Sequence, residues 1–280
     1  MRDDAKDAAW ITVRITPGAR RDDVLAALFE AGAGGVQELP DALVTHAHGS
    51  DDARRLERAA LSVAGDVAVA TEPLQISDWS ERWKHALTAQ RVGALTIAPP
   101  WLADSLDPAT TIVIEPAMAF GTGDHATTRS VVRLLQEVVR EGDRVADLGA
   151  GSAVLAIAAA KLGAALIVAI EMDPDAIANA EENVRRNGVG DRVSVVEGDA
   201  ASLLPLVAPV RVVTANIISS VLIDLLPTIA DSIDEGGCAI LSGILTSERA
   251  DMIDRLDLDG WRVSAEIEEG EWWSATVERR

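Results

Sequence analysis

The chain has 280 residues, with 45 Asp plus Glu against 25 Lys plus Arg, a formal net charge of -20 and one cysteine, Cys238. An apolar content of 48% is enough for a real core and excludes disorder as the main state. One cysteine excludes a disulfide framework and a cysteine-rich zinc site and points to a reducing, cytoplasmic setting, while the acidic balance lacks the basic footprint of a nucleic-acid binder and suits either plain solubility or a basic protein partner.

Met1–Asp7 is polar and carries three Asp, so no secretory leader is expected. Trp10–Thr16 alternates apolar and polar residues, as a half-buried strand does. The spacing predicts a helix over Arg21–Ala31 with Val24, Leu25, Leu28 and Phe29 on one face. Short strands are expected at Val36–Leu39 and Ala42–His46, then a helix over Asp51–Ala64 capped by Ser50, then a strand over Asp66–Ile76. The order β-α-β-β-α-β is that of a small ferredoxin-like α+β domain, assigned to residues 1–77. His46 and His48 share a strand face, but no third ligand is evident and no metal is expected.

Residues 78–109 read as a connector with Trp79, Trp83 and Trp101, a short helix at Ser80–Leu87, and breaks at Pro99, Pro100 and Pro108. From Thr111 the rhythm lengthens to strand-then-helix units, and residues 110–280 are assigned to one α/β domain. Strands are expected at Arg144–Leu148, Ala165–Glu171, Arg192–Glu197, Val210–Asn216, Cys238–Ser242, Trp261–Ile267 and Trp273–Glu278, with an apolar helix over Ser219–Ile233. The apolar run from Ala153 to Ile170 contains Lys161 and Gly163, and reads as a buried helix followed by a buried strand rather than a membrane span. The last two strands have no helix between them and are expected to form an antiparallel edge hairpin.

The sharpest local signal is Asp147-Leu148-Gly149-Ala150-Gly151, where an apolar strand turns into a helix. Glycines there let a ligand approach the backbone, and a helix start offers free N–H groups. The dinucleotide pattern fails, because Val154 stands at the third glycine position, and no Gly-Lys pair exists to form a P-loop. An acid at Asp147 suits a ligand with a positive amino group. Glu171 ends the next strand, about 20 residues past the turn, where an acid meets ribose hydroxyls. Asp199 follows the third strand at the adenine end of such a site, although it also reads as a turn residue. Asn216 ends the fourth strand and can accept a hydrogen bond from a substrate amine.

Upstream, Glu115–Thr128 forms a second feature. Gly121 and Gly123 suit a lid loop, Phe120 suits covering a bound ring, and exposed hydroxyls of Thr127 and Thr128 at the start of a helix suit a carboxylate.

Together these motifs resemble the class I S-adenosylmethionine methyltransferases. Phe120-Gly121-Thr122-Gly123-Asp124-His125-Ala126-Thr127-Thr128 is similar to the loop of the ribosomal protein L11 methyltransferases, the PrmA family. Asp78–Lys84, Arg91-Val92-Gly93, Ala215-Asn216-Ile217 and Leu241-Ser242-Gly243-Ile244-Leu245 also resemble that family. The resemblance implies a Rossmann-like seven-stranded domain and S-adenosyl-L-methionine as cofactor, with family contacts falling on Thr128, Gly149, Glu171 and Asn216. It further implies methylation of amino groups of a large-subunit ribosomal protein, presented by the N-terminal domain. The expected site is thus Phe120, Thr127, Thr128, Asp147, Gly149, Gly151, Glu171, Asp199 and Asn216, with Asn216 orienting the acceptor amine. Ala153 departs from the family, where glycine is commoner. Alternatives on the same fold are methylation of another protein, RNA or a small molecule, and a non-catalytic cofactor-binding regulator.

Overall fold

The computed structural model describes residues 10–18, 20–33, 35–73, 87–116, 121 and 123–280. The chain divides into two compact units, Met1–Ala86 and Leu87–Arg280.

The first unit runs β1 (Trp10–Thr16), α1 (Arg21–Glu30), β2 (Val36–Glu38), β3 (Leu43–His48), α2 (Gly49–Leu61) and β4 (Ala68–Pro73). Its sheet has the order β2-β3-β1-β4, with every pairing antiparallel, which is the ferredoxin-like arrangement. Alternation along β1 buries Val13 and Ile15 against Val24, Leu28, Leu43, Leu56 and Ala60, while Arg14 points out. Two local expectations change. Phe29 lies off the buried stripe of α1 and is 52% exposed, because its 100° step past Leu28 carries it to solvent. Helix α2 opens at Gly49 rather than after a Ser50 cap, and the Ser50 hydroxyl instead accepts from Arg54 Nη2 at 3.3 Å. The end of the expected strand at residues 74–76 lies outside the described residues, as does all but Leu87 of the expected Ser80–Leu87 helix.

In the second unit, part of the expected irregular connector is regular. β5 (Gln90–Val92) and β6 (Leu95–Ala98) form a hairpin, and β7 (Thr111–Val113) pairs parallel to β6. Pro99 and Pro100 end β6 at Ala98, as expected, and also start a new element. They open the short helix α3 (Pro100–Ala103), since proline's fixed φ and missing N–H suit a first helical turn.

The remainder is α4 (Ala126–Val138), β8 (Arg144–Leu148), α5 (Val154–Lys161), β9 (Leu166–Glu171), α6 (Pro174–Arg186), β10 (Val193–Glu197), α7 (Ala200–Val207), β11 (Val210–Asn216), α8 (Ser219–Ser232), β12 (Ile233–Leu245), α9 (Arg249–Leu258), β13 (Trp261–Glu269) and β14 (Trp272–Arg279). The seven strands lie in the order β10-β9-β8-β11-β12-β14-β13. The first five are parallel, and β14 inserts antiparallel between β12 and β13 as the expected edge hairpin. One apolar layer packs α4, α5 and α6 on one sheet face, and a second packs α7, α8 and α9 on the other. Among the described residues no helix is long and apolar enough to cross a membrane; Val154–Ala160 is apolar because α5 is buried all round. Strand order reverses between β8 and β11, which opens a crevice at their C-terminal ends.

Candidate functional site

The glycine turn forms the floor of that crevice. Gly149 has φ +68, and a Cβ added to it would lie 2.5 Å from Ile217 Cγ2, so the turn requires glycine on both counts. The Gly149 and Ala150 amides donate to the Ile170 carbonyl at 2.9 and 3.1 Å, fixing the turn to β9. Ala153 caps α5 with φ 63 and ψ 19, a left-handed conformation that L-residues resist.

Asp147 is fully buried beneath the turn. Its Oδ1 accepts from the Thr214 hydroxyl at 2.6 Å and its Oδ2 from the Ala156 amide at 3.1 Å. Burial pushes its pKa up to about 6, although both hydrogen bonds oppose that rise. The carboxyl thus joins β8, β11 and α5, and it is not among the residues that line the clefts described next.

Gly149, Gly151, Glu171, Asp199 and Asn216 do come together, around a cleft of about 580 Å³. Its apolar wall includes Ile170, Met172, Ile217, Val221 and Leu225. Glu171 Oε2 accepts from the Gly151 amide at 2.7 Å, and Oε1 accepts from the Met172 and Asp173 amides at 2.8 and 2.9 Å. Asp173 caps α6 through the Asp175 amide, as its Asp-Pro sequence suggests. Asp199 lines the cleft and also caps α7, its carboxylate accepting from the Ala201 and Ser202 amides. The Ser202 hydroxyl bonded to it, then the Ala201 amide, holds its pKa below the usual carboxylate range.

A second cleft of about 350 Å³ lies on the other side of Asn216, lined by His125, Thr127, Asn216, Ile217, Ile218, Gly243 and Trp272. Asn216 is shared by both clefts. Gly243 permits this junction, since a Cβ there would meet the Ile217 carbonyl at 2.5 Å. Thr127 and Thr128 were expected to expose their hydroxyls, but both are buried at the start of α4, where the helix packs into the core. Thr127 Oγ1 and His125 Nδ1 are 2.7 Å apart, and Thr128 Oγ1 is buried with no hydrogen-bond partner. Burial, reinforced by Arg129, lowers the His125 pKa against the opposing effect of Glu271.

Phe120 lies outside the described residues. Gly121 and Gly123 are buried: the Gly121 carbonyl accepts from Ser152 Oγ at 2.7 Å, and a Cβ at Gly123 would strike Ile97 at 2.4 Å. These contacts give both glycines a packing role in this conformation.

Sequence reasoning missed His125 and Trp272 as lining residues. His125 stood inside the motif, but nothing local told that Trp272, far along the chain, meets it. Asn183 and Asn187 were also missed. Their amides brace β7 and Glu115 through the Val113 and Glu115 main chain, and Asn183 also donates to the Ser152 carbonyl at 3.1 Å. Among the described residues no group of three or more His, Cys, Asp or Glu is placed to hold a metal ion.

The sequence pattern of the family described as ribosomal protein L11 methyltransferase (PrmA) matches residues 23–280. The chain belongs to the PrmA family. It is 37% identical over 236 residues to the ribosomal protein L11 methyltransferase of Chloroflexus aurantiacus, covering 76% of this chain and 72% of that protein. It is 39% identical over 207 residues to the namesake from Pelotomaculum thermopropionicum, covering 73% and 67% respectively. A crystal structure of ribosomal protein L11 methylase from Lactobacillus delbrueckii subsp. bulgaricus superposes with a TM-score of 0.61 at 28% identity, over 69% of this chain and all (100%) of that one.

The chain is therefore a methyltransferase, and its methyl donor is S-adenosylmethionine. The site's chemistry fits this ligand. Acids at Glu171, Asp173 and Asp199 ring a cleft that suits a cationic nucleoside, its wall offers apolar surface to a base, and Thr128 keeps an unpartnered hydroxyl.

Proposed function

We propose that this PrmA-family member transfers methyl groups to lysine or N-terminal amino groups of large-subunit ribosomal protein L11 in the cytoplasm. The observation that carries the reading is Asn216, the wall between an acid-ringed cleft at the glycine turn and a smaller cleft at His125 and Trp272. In this reading Gly149, Gly151, Glu171 and Asp199 hold the donor. Thr127 and Thr128 share their sequence motif with Phe120, which is proposed to cover the bound donor, and Asp147 braces the turn from below. The smaller cleft receives the acceptor side chain.

S-adenosylmethionine supplies, when bound, a methyl already activated by a sulfonium. A lysine amine, with a pKa of ~10.4, must lose its proton before it can attack. The side-chain oxygen of Asn216 accepts an N–H from that amine and orients its lone pair, and the apolar flank of Ile217 and Ile218 strips its water. His125, with its lowered pKa, adds no positive charge to oppose a lysine. Among the described residues no carboxylate lines the smaller cleft, and release of the proton to solvent is the default in this reading. The N-terminal domain expected at residues 1–77, followed along the chain by the connector 78–109, presents the protein substrate. A net charge of -20 favours a basic partner of that kind.

The test is incubation of the purified chain with L11 and methyl-labelled S-adenosylmethionine, followed by mass spectrometry of L11 peptides. Mass increments of methyl groups on amines are expected. Absence of label on L11, with cofactor binding intact, would refute the substrate.

A further inference from the structure

The smaller cleft depends on two chain segments far apart in sequence, Asp124–Thr127 and the β13–β14 turn. His125 and Trp272 meet there edge to face, with ring centroids 5.0 Å apart at 64°. Neither ring is set by its own element alone. His125 precedes α4, and Trp272 begins β14 directly opposite Glu269, the last residue of β13.

One guanidinium spans both segments. Arg129 Nη1 donates to the Asp124 carbonyl, adjacent to His125. Arg129 Nε and Nη2 donate to Glu269 Oε1 at 2.8 and 2.5 Å, across the hairpin from Trp272. Arg133 Nη1 adds a single bond to Glu269 Oε2 at 2.5 Å. The Arg129 and Glu269 side chains retain only 22% and 26% exposure, so this is no loose surface pair.

We propose that Arg129 and Glu269 are positioning residues of the acceptor cleft: together they hold His125 against Trp272 and set the width of the opening beside Asn216. The inference rests on the reading of that cleft as the acceptor's. Arg129 is not replaceable by lysine here, because three separate nitrogens of its planar fork, Nη1 on the Asp124 carbonyl and Nε with Nη2 on Glu269, reach the two segments, and a single ammonium nitrogen lacks that spread. Arg133 is replaceable, since one ammonium bond substitutes for its one contact.

The experiment uses the full chain as wild type, Glu269→Gln, Arg129→Lys and Arg133→Lys. Three readouts are taken: kcat and KM for L11, S-adenosylmethionine affinity by calorimetry, and the NMR shift of the His125 ring protons, identified with His125→Gln. The Trp272 ring current displaces these protons in the wild type. In Glu269→Gln and Arg129→Lys, kcat/KM for L11 is expected to fall about 10- to 100-fold, because small misplacements at a reacting centre are costly. The His125 resonance is expected to move, with cofactor affinity unchanged. Arg133→Lys is expected to match wild type in all three. An unmoved resonance overturns the proposal, as does a moved one with unchanged kcat/KM or a parallel loss of cofactor affinity. Should wild type fail to methylate L11, the substrate reading falls, and the resonance alone decides whether the pair positions the cleft.

Discussion

Glu171→Ala offers the most direct test of the donor cleft. The carboxylate already accepts three backbone N–H groups, from Gly151, Met172 and Asp173. A carboxylate has roughly four lone-pair sites, so two ribose hydroxyls require release of at least one amide. The Gly151 bond is the expected one to yield, since Gly151 lines the cleft with Glu171. Two bonds to the charged group are then gained and one is lost, a net of one charge-assisted bond, worth about 1.5–3 kcal/mol. Removing the side chain should therefore weaken S-adenosylmethionine binding about 10- to 150-fold by calorimetry. Thermal unfolding should show a cooperative transition in the variant. In the wild type, titration with the cofactor should shift the Gly151 amide resonance. Unchanged affinity in Glu171→Ala would refute the ribose assignment, and a static Gly151 amide would refute the exchange of partners.

Asp147 makes stability depend on pH in an unusual direction. Its folded pKa of about 6 lies above its ordinary 3.8, so the folded state holds a proton that the unfolded chain has released. Its stabilising contribution is complete below the unfolded value and is lost as pH rises through the folded one. Between pH ~4.5 and ~7.5 the wild type should lose about 2 kcal/mol relative to Asp147→Asn in urea titrations, and parallel curves would contradict this. Ala153→Val should destabilise by more than about 2 kcal/mol, because a β-branched residue resists the left-handed region and the site is buried, whereas Ala153→Gly should stay within about 1 kcal/mol of wild type. Equal melting temperatures for the two would show that the backbone there relaxes freely. A chain beginning at Leu87 is expected to bind S-adenosylmethionine and to lose methylation of intact L11. Full activity of that truncation would remove the presenting role from the first unit.

Much of the fold was legible along the chain because local physics carries it. Alternation in Trp10–Thr16, the strand-then-helix rhythm after Thr111 and the missing helix before Trp273 each reflect burial of one face of a regular element. The lining of the larger cleft was legible for a related reason: in a parallel sheet, crevices open at strand ends, so Gly149, Gly151, Glu171, Asp199 and Asn216 can be found by position on their own strands. The break at Pro99 and Pro100 was legible, but the short helix after it was not, because the same residue that ends a strand also suits a first helical turn and only the surrounding backbone decides whether a helix follows.

Tertiary structure alone decided the rest. The burial of Thr127 and Thr128 depends on how deep α4 packs, and no residue within the motif encodes that depth. Asp147 looked like a ligand contact from its place before the glycines, yet β11 supplies Thr214 and α5 supplies Ala156 to occupy both of its oxygens. The smaller cleft joins His125 to Trp272 and Arg129 to Glu269, from the start of α4 to the β13–β14 edge hairpin more than a hundred residues later in the chain. Contacts of that range leave no periodic trace in the sequence, because each partner satisfies its own element's pattern whether or not the other is present.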